Sequence, residues 1–362
     1  MKKIDRYILK KFLSTFFFCI LLMTLIVVVI DISEKTDDFV KSGLTTWQII
    51  TDYEAGFIPR IDAMLFPLFV FISTIFFTSK MADKSEIIAI LSAGVSFRRF
   101  LLPYWIGSIF LALILWGGYH YVLPKANAIW GAFDTKYIGG SYDYTGGNSP
   151  RNFYFRIDSN TYAGMRYFDT ASKTGTNFFI QRFEKDRLAY NLRSDNIAWD
   201  TAVKKWKLSG VVERTLKGDL ETLKRNRQLH MEYNFKPRDL KRDEYLKDRL
   251  STPDLDDLIR LEKLRGTEGI NSLLVERYNR DAIPVSVIIL TLIGAILSSK
   301  KVRGGSGFHL ALGVVWSVLY ILFSRFSIVF ATKGNFPAIL AAWTPNLIFA
   351  LLTYYFFKRA AR

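Results

Sequence analysis

Apolar residues along this chain gather into long unbroken runs near both ends and into short alternating stretches in the middle. Phe12–Ile30, Phe57–Ser79 and Phe100–Val122 come early, and Ile283–Ser299, Phe308–Ala331 and Ala338–Phe357 come late. Each approaches or exceeds the length that a membrane-crossing helix needs, about 20 residues. The first run follows Lys2, Lys3, Arg6, Lys10 and Lys11, as a secretory signal would. It is longer than an ordinary signal core, however, and Asp31-Ile-Ser-Glu-Lys-Thr-Asp-Asp follows where small cleavage-site residues would be needed, so a retained helix is expected.

Between the two sets of runs the pattern changes period. Asn152–Ile157 alternates with Phe153, Phe155 and Ile157 on one side, and Asn177–Phe183, Asn196–Trp199, Trp206–Glu213 and Gln228–Phe235 are further short strands spaced by turn residues. Asp200–Lys205 has the makings of a hairpin connection. Strands at this spacing predict a sandwich, a jelly roll or an open half-barrel. Thr252-Pro253-Asp254 then reads as a helix start, with Thr252 as cap, and two helices, Leu255–Arg265 and Ile270–Arg280, lead into the fourth run. The expected division is 1–123 for three spans, 124–250 for a jelly-roll-like all-β domain, 251–280 for a helical connector, and 281–362 for three more spans.

One polar interruption, Lys80–Phe100, carries its own helical pattern. Asp83 stands where a cap is needed, with Glu86 three residues on; Ile87, Ile90 and Leu91 share a face, and Gly94 offers a stop. An amphipathic helix of about three turns within 81–94 is predicted. It has two readings: a helix lying among lipid headgroups, or a knob that docks into a groove on another protein through Ile87, Ile90 and Leu91, with Glu86 as polar contact.

The chain of 362 residues carries a net charge of +16. In a soluble protein that would suggest nucleic acid. Here the Lys and Arg clusters flank apolar runs, so membrane topology explains much of the charge. Placing the basic N-terminus, Lys80–Arg99, Lys300-Lys301-Val302-Arg303 and the basic tail on the cytoplasmic side satisfies alternation through six spans. The β domain then lies outside.

Candidate chemistry is thin. Cys19 is the sole cysteine and lies in an apolar run; His120, His230 and His309 fall in different compartments by this topology; and Gly304-Gly305-Ser306-Gly307 lacks the lysine of a phosphate loop and reads as a flexible turn. No catalytic residue, metal site or cofactor is expected in this chain. Ionisable residues near the membrane carry more weight. Arg60 and Asp62 lie near the start of the second run, Asp31 and Glu34 end the first, Lys41 follows, and Arg325 sits deep in the fifth. Arg325 is expected to face the bundle interior or a cavity, paired with an acid or a lipid phosphate.

Several motifs in this order carry a family resemblance: Ile4-Asp5-Arg6-Tyr7-Ile8 at the start, Lys84-Ser85-Glu86-Ile87 with Ser92-Ala93-Gly94-Val95-Ser96, Trp206-Lys-Leu-Ser, Pro253-Asp254-Leu255, and Pro284 opening the fourth run. Together they resemble the lipopolysaccharide-export permease family (LptF/LptG, YjgP/YjgQ), slightly nearer the LptG version, essentially end to end. The resemblance implies a multi-pass inner-membrane permease of an ABC exporter. Such a permease pairs with a second, LptF-like permease through its first and fifth spans. It rests on a cytoplasmic LptB-like ATPase dimer, which binds the ATP, and passes lipopolysaccharide to a periplasmic LptC/LptA-like bridge. It further implies ATPase coupling through Ser85, Glu86, Ile87, Ile90, Leu91 and Gly94, and headgroup contacts at Arg60 and Lys41. The paired arginines of LptG-like members are missing around Gly131–Asp134, where Lys125 and Lys136 are the nearest substitutes, and Asp31, Glu34, Asp37 and Asp38 are unexpected at a phosphate-binding rim. The candidate substrate-binding residues are therefore Arg60, Lys41, Lys136, Arg325, Phe153 and Phe155. Two rival classes stay open: a permease or mechanotransmission subunit for a lipoprotein or other lipid, and a membrane sensor or scaffold without an ATPase.

Overall fold

The computed structural model describes residues 2–138, 153–169, 172–184, 187–201, 203–217, 220–233, 235–237, 246–265, 269–302, 305–334 and 336–360. Among them are six helices long and apolar enough to cross a membrane: Lys3–Glu34, Thr46–Asp83, Phe97–Phe133, Ile270–Ser298, Ser306–Lys333 and Ala338–Ala360. The protein is a polytopic α-helical membrane protein with an antiparallel β domain inserted between its third and fourth spans. The chain divides into two compact units. One holds residues 1–138, 247–255 and 271–362; the other holds 139–246 and 256–270.

All six spans outrun the apolar stretches that announce them, the first four by the most, because polar residues at their ends continue or cap the helix instead of stopping it. Asp5 accepts the Lys2 backbone N–H at 2.6 Å at the start of the first span. Thr45 and Gln48 exchange a capping box before the second, with Thr45 N–H donating to Gln48 Oε1 at 3.0 Å. Ser96 accepts from the Arg99 N–H before the third. The third span continues through a π-helical turn at Gly118–Val122 and on to Phe133, so residue 124, the expected start of the β domain, is still helix. The fourth begins at Ile270 and absorbs the expected connector helix without a break. Ser251, not Thr252, caps the helix at Thr252–Arg265, since the Ser251 hydroxyl accepts the Asp254 N–H and the Thr252 hydroxyl is used elsewhere. Gly305–Gly307, expected as a flexible turn, form the first turn of the fifth span's helix.

The first four spans share a core containing Phe12, Phe16, Phe66, Val70, Phe100, Tyr104 and Val287, and Phe71, Ile75, Leu290, Ile293 and Phe349 form a second. At one end of this unit the four basic segments meet. Tyr7 touches Glu86, Lys301 donates to Ser85, Ser306 donates to Asp83, and Phe97 stacks near Phe357 at 6.2 Å. The 80–99 loop folds into a helix of seven residues, Glu86–Ser92, shorter than the three turns expected. Asp83 does not cap it; that residue ends the second span, and Ser85 at φ +59° makes the break between them. Gly94, at φ +85°, supplies the expected stop.

The inserted unit contains seven strands: β1 Phe153–Asp158, β2 Thr161–Met165, β3 Tyr167–Asp169, β4 Thr174–Glu184, β5 Arg187–Asp200, β6 Lys205–Lys217 and β7 Leu220–Met231. They pair antiparallel in one sheet, ordered β1-β2-β4-β5-β6-β7, with β3 also on β4, so the pairing among the described strands follows chain order as a meander. The expected hairpin is present, Trp199 opposite Trp206 and Asp200 opposite Lys205. Where the β5–β6 pairing is interrupted between Arg193 and Asn196 with its register kept, Gly210 takes φ +68°, and any β-carbon there would collide with the Asp195 carboxylate. Trp206 is fully buried beside Phe168, Phe178, Leu192, Leu208 and Phe235, and its indole N–H donates to the Phe235 carbonyl at 2.9 Å. β2 and β3 escape the sequence pattern because they are short and interrupted.

Candidate functional site

The second to sixth spans, with residues 247 and 248, line a half-open cavity of about 540 Å³. Its wall is divided. Leu65, Leu68, Ile283, Leu290, Ile321 and Ile328 make it largely apolar, and Arg60, Lys247, Arg280 and Arg325 bring cations to it against the carboxylates of Asp248 and Glu276. Cations therefore outnumber acids on this wall, with Arg280 buried and Arg325 exposed. Such a wall suits an amphipathic anion, with guanidinium groups able to take a phosphate or carboxylate through paired N–H donors.

Arg280 is the most completely bonded of the four. It is 1 % exposed and donates to Glu276 Oε1 at 3.3 Å, to Thr252 Oγ1 at 3.0 Å, and to the Lys247 and Leu250 carbonyls at 3.0 Å each. It fastens segment 247–252 to the fourth span and has little left for a ligand. The same network continues from Thr252 Oγ1 to His120 Nδ1 at 2.9 Å, from His120 Nε2 to Asp281 at 3.2 Å, and from Asp281 to Arg277 at 2.8 Å and the Trp116 indole at 3.1 Å. Burial pushes the Asp248 carboxyl above its usual range, against the pull of Lys247, Arg60, Arg280 and Arg249.

The structure brings Arg60 and Arg325 together on one cavity and leaves Lys41 and Lys136 off it. Arg60 lies with its guanidinium 3.9 Å from the centre of the Trp130 ring, a cation–π contact that presents the group to the cavity from one side. Arg325 reaches the Met64 sulfur at 4.0 Å, and among the described residues no carboxylate lies within ion-pair distance of it. The expected acidic partner is thus not found. Lys41, on the short helix Thr36–Ser42, and Lys136, beyond the third span, are both exposed and do not line the cavity. Asp31 is not an acidic rim residue either: its buried carboxylate accepts from Lys35 and Tyr53 at 2.8 Å each. Phe153 and Phe155 stand opposite Met165 and Ala163 in the sheet register, and their side chains lie outside the described residues.

The short helix presents a different face from the one its pattern suggests. Ile87, expected as an outward anchor, is 1 % exposed and packs into this chain's own core. Ile90 and Leu91 are half-buried against the same core, and Glu86 lies 3.3 Å from the Tyr7 hydroxyl. Ile88, Ala89, Ser92, Ala93 and Gly94 are the exposed positions, with Ile88 51 % exposed.

Tyr119, Lys247, Asp248, Glu276 and Arg280 are cavity residues that the sequence pattern did not single out. Glu276, Arg277, Arg280 and Asp281 recur at helical spacing just before the fourth apolar run, a signal that a charged end continues into the span rather than stopping short of it.

A search among curated proteins returns no match to this chain. Residues 6–359 match the family described as lipopolysaccharide export system permease LptF/LptG. A match over nearly the whole length, joined to six spans and an inserted β sheet, places this chain in the LptF/LptG family of lipopolysaccharide export permeases.

Proposed function

We propose that this chain is one of two paired inner-membrane permease subunits of an ABC exporter that lifts lipopolysaccharide from the outer leaflet and hands it to a periplasmic bridge. The observation that carries this reading is the divided cavity, cationic at Arg60, Lys247 and Arg325 and apolar along the spans around it. A multi-acyl glycolipid is held in its leaflet by about 0.8 kcal/mol per buried CH₂, so extraction needs an apolar surface to move onto and an external energy source. The cavity wall offers the first. ATP hydrolysed by a separate cytoplasmic subunit, docked at the 86–92 helix, supplies the second. Both termini and the 80–99 loop then face the cytoplasm, and the sheet faces the periplasm, in keeping with the basic segments gathered at one end of the membrane unit.

Purification of the tagged chain in mild detergent, with mass spectrometry of what accompanies it, tests the reading. An ABC ATPase, a second permease and lipopolysaccharide are expected. Recovery of a lipoprotein instead of glycolipid, or of no ATPase after crosslinking, would overturn it. In the assembled complex, Arg60→Ala with Arg325→Ala is expected to lower lipopolysaccharide release roughly tenfold, the scale of one or two charge-assisted contacts of about 1.5–3 kcal/mol less compensation by water.

A further inference from the structure

The 86–92 helix is tied by polar and apolar contacts to the start of the first span, and none of these contacts serves the cavity. The Tyr7 hydroxyl donates to Glu86 Oε2 at 3.3 Å, Ile87 shares a core with Ile8 and Phe12, and Ile90, Ile8, Arg99 and Asp5 line one small cleft. Asp5 is the unusual member. It is 2 % exposed, and its Oδ2 accepts both the Lys2 backbone N–H at 2.6 Å and Arg99 Nη2 at 2.5 Å. Arg99 belongs to the first turn of the third span, which follows the 86–92 helix after only residues 93–96. Any displacement of that helix therefore carries Arg99 with it, and Arg99 is bonded to the first span.

A cap alone would not need this arrangement. Asp5 satisfies the Lys2 N–H without Arg99, and a pair of apolar side chains would fill the cleft without the desolvation that a buried ion pair incurs. A charge pair differs from apolar packing in holding one geometry and resisting sliding. Arg99 Nη1 is buried with no hydrogen-bond partner among the described residues, so the bond from Nη2 to Asp5 is what holds the guanidinium to the first span. The first span is also the least covered of the six, 6 % buried over its apolar window. Its start is anchored, with Ile8, Phe12 and Phe16 buried in the core shared by the first four spans, so a pull on Asp5 is felt by that core.

We propose that Asp5 and Arg99, assisted by Tyr7, are positioning residues that transmit displacement of the 86–92 helix to the first span. The proposal rests on the exporter reading and adds to it the route by which force from a docked ATPase reaches the first span. Its test uses the intact complex of this chain with its ATPase and second permease, in proteoliposomes carrying lipopolysaccharide, reading ATP hydrolysis and lipopolysaccharide released per ATP. Asp5→Asn keeps an acceptor for the Lys2 N–H and removes the charge. It is expected to hydrolyse ATP at the wild-type rate and to release about tenfold less lipid per ATP, within the range of ordinary coupling energies. Asp5→Glu, which keeps the charge, is expected to recover release. Unchanged release per ATP in Asp5→Asn overturns the proposal, as does a parallel fall of hydrolysis and release with a lowered Tm, the mark of a merely structural pair. Where Asp5→Asn does not assemble, Tyr7→Phe decides: it deletes one hydroxyl contact, and lower release at unchanged hydrolysis supports the route, whereas equal release overturns it. A wild-type complex that hydrolyses no ATP overturns the exporter reading itself, and the route with it.

Discussion

The second and fourth spans are 61 % and 67 % buried over their apolar windows, whereas the first and fifth are 6 % and 11 % buried. Apolarity does not sort them, because the first span is the most apolar of all. Small and hydroxyl residues set the second and fourth apart from the first, though not from the fifth, which carries Gly313, Ser317 and Ser327. Ser73, Thr74, Ser79, Ser286, Thr291 and Ser298 are buried on the second and fourth spans, and each hydroxyl donates to a carbonyl three or four residues back on its own helix. Such side chains stay narrow and carry no unmet polar group, so helix backbones approach closely. Gly294 is an example: a β-carbon there would lie 3.0 Å from the Phe71 ring. The first and fifth spans instead turn Phe18, Leu21, Leu25 and Ile26, and Phe323, Phe326 and Phe330, outward. Within a bilayer there is no hydrophobic drive between helices. The difference therefore marks which surfaces this chain covers itself and which it leaves to lipid or another subunit.

The sharpest way to break the comparison is a matched truncation. Phe71→Ala, at 0 % exposed, is expected to cost about 3–5 kcal/mol. Phe18→Ala, at 65 % exposed, is expected to cost less than about 0.5 kcal/mol in the isolated chain. Unfolding in mild detergent measures both, and equal effects would remove the distinction between covered and uncovered spans. A smaller effect is expected from glycine. Gly294→Ala crowds Phe71 and Ile75 and should cost about 1–3 kcal/mol, while Gly117→Ala, with nothing within 4 Å, should be neutral or gain up to about 1 kcal/mol of helix propensity.

The smallest effect concerns Asp248, on the cavity. Its carboxyl titrates above the usual range because of burial. A carboxyl raised in the folded state is no handicap when both states are protonated, and becomes one as pH rises through its folded value. Asp248→Asn is thus expected to raise Tm slightly at neutral pH, with the gain vanishing below the ordinary carboxylate range. A Tm difference that instead grows on acidification would show that Asp248 is held as a stabilised anion.

Six spans, their order and the β character of the insert were legible from period and run length, because a helix in lipid must be long and apolar and a half-buried strand must alternate. The glycine stop at Gly94 and the hairpin at Asp200–Lys205 were legible too, since each needs only local chemistry. The helix from Ile270 into the fourth span was legible, but the end of the third was misjudged, since its helix continues through Leu123–Phe133 where the apolar run has stopped. The short helix shows the same limit. Ile87, Ile90 and Leu91 share a stripe, but a stripe does not say whether it faces the chain's own core or a partner; Ile8 and Phe12 on the first span decide it.

The sequence by itself determined where the chain crosses the membrane, where it changes from helix to sheet, and which family it resembles, because these depend on composition and order over many residues. The tertiary structure alone decided that Arg60 and Arg325 share a cavity, that Lys41 and Lys136 do not reach it, and that Asp5 meets Arg99. Those facts depend on which helices pack side by side, and helices made of the same apolar residues give no local signal of their neighbours.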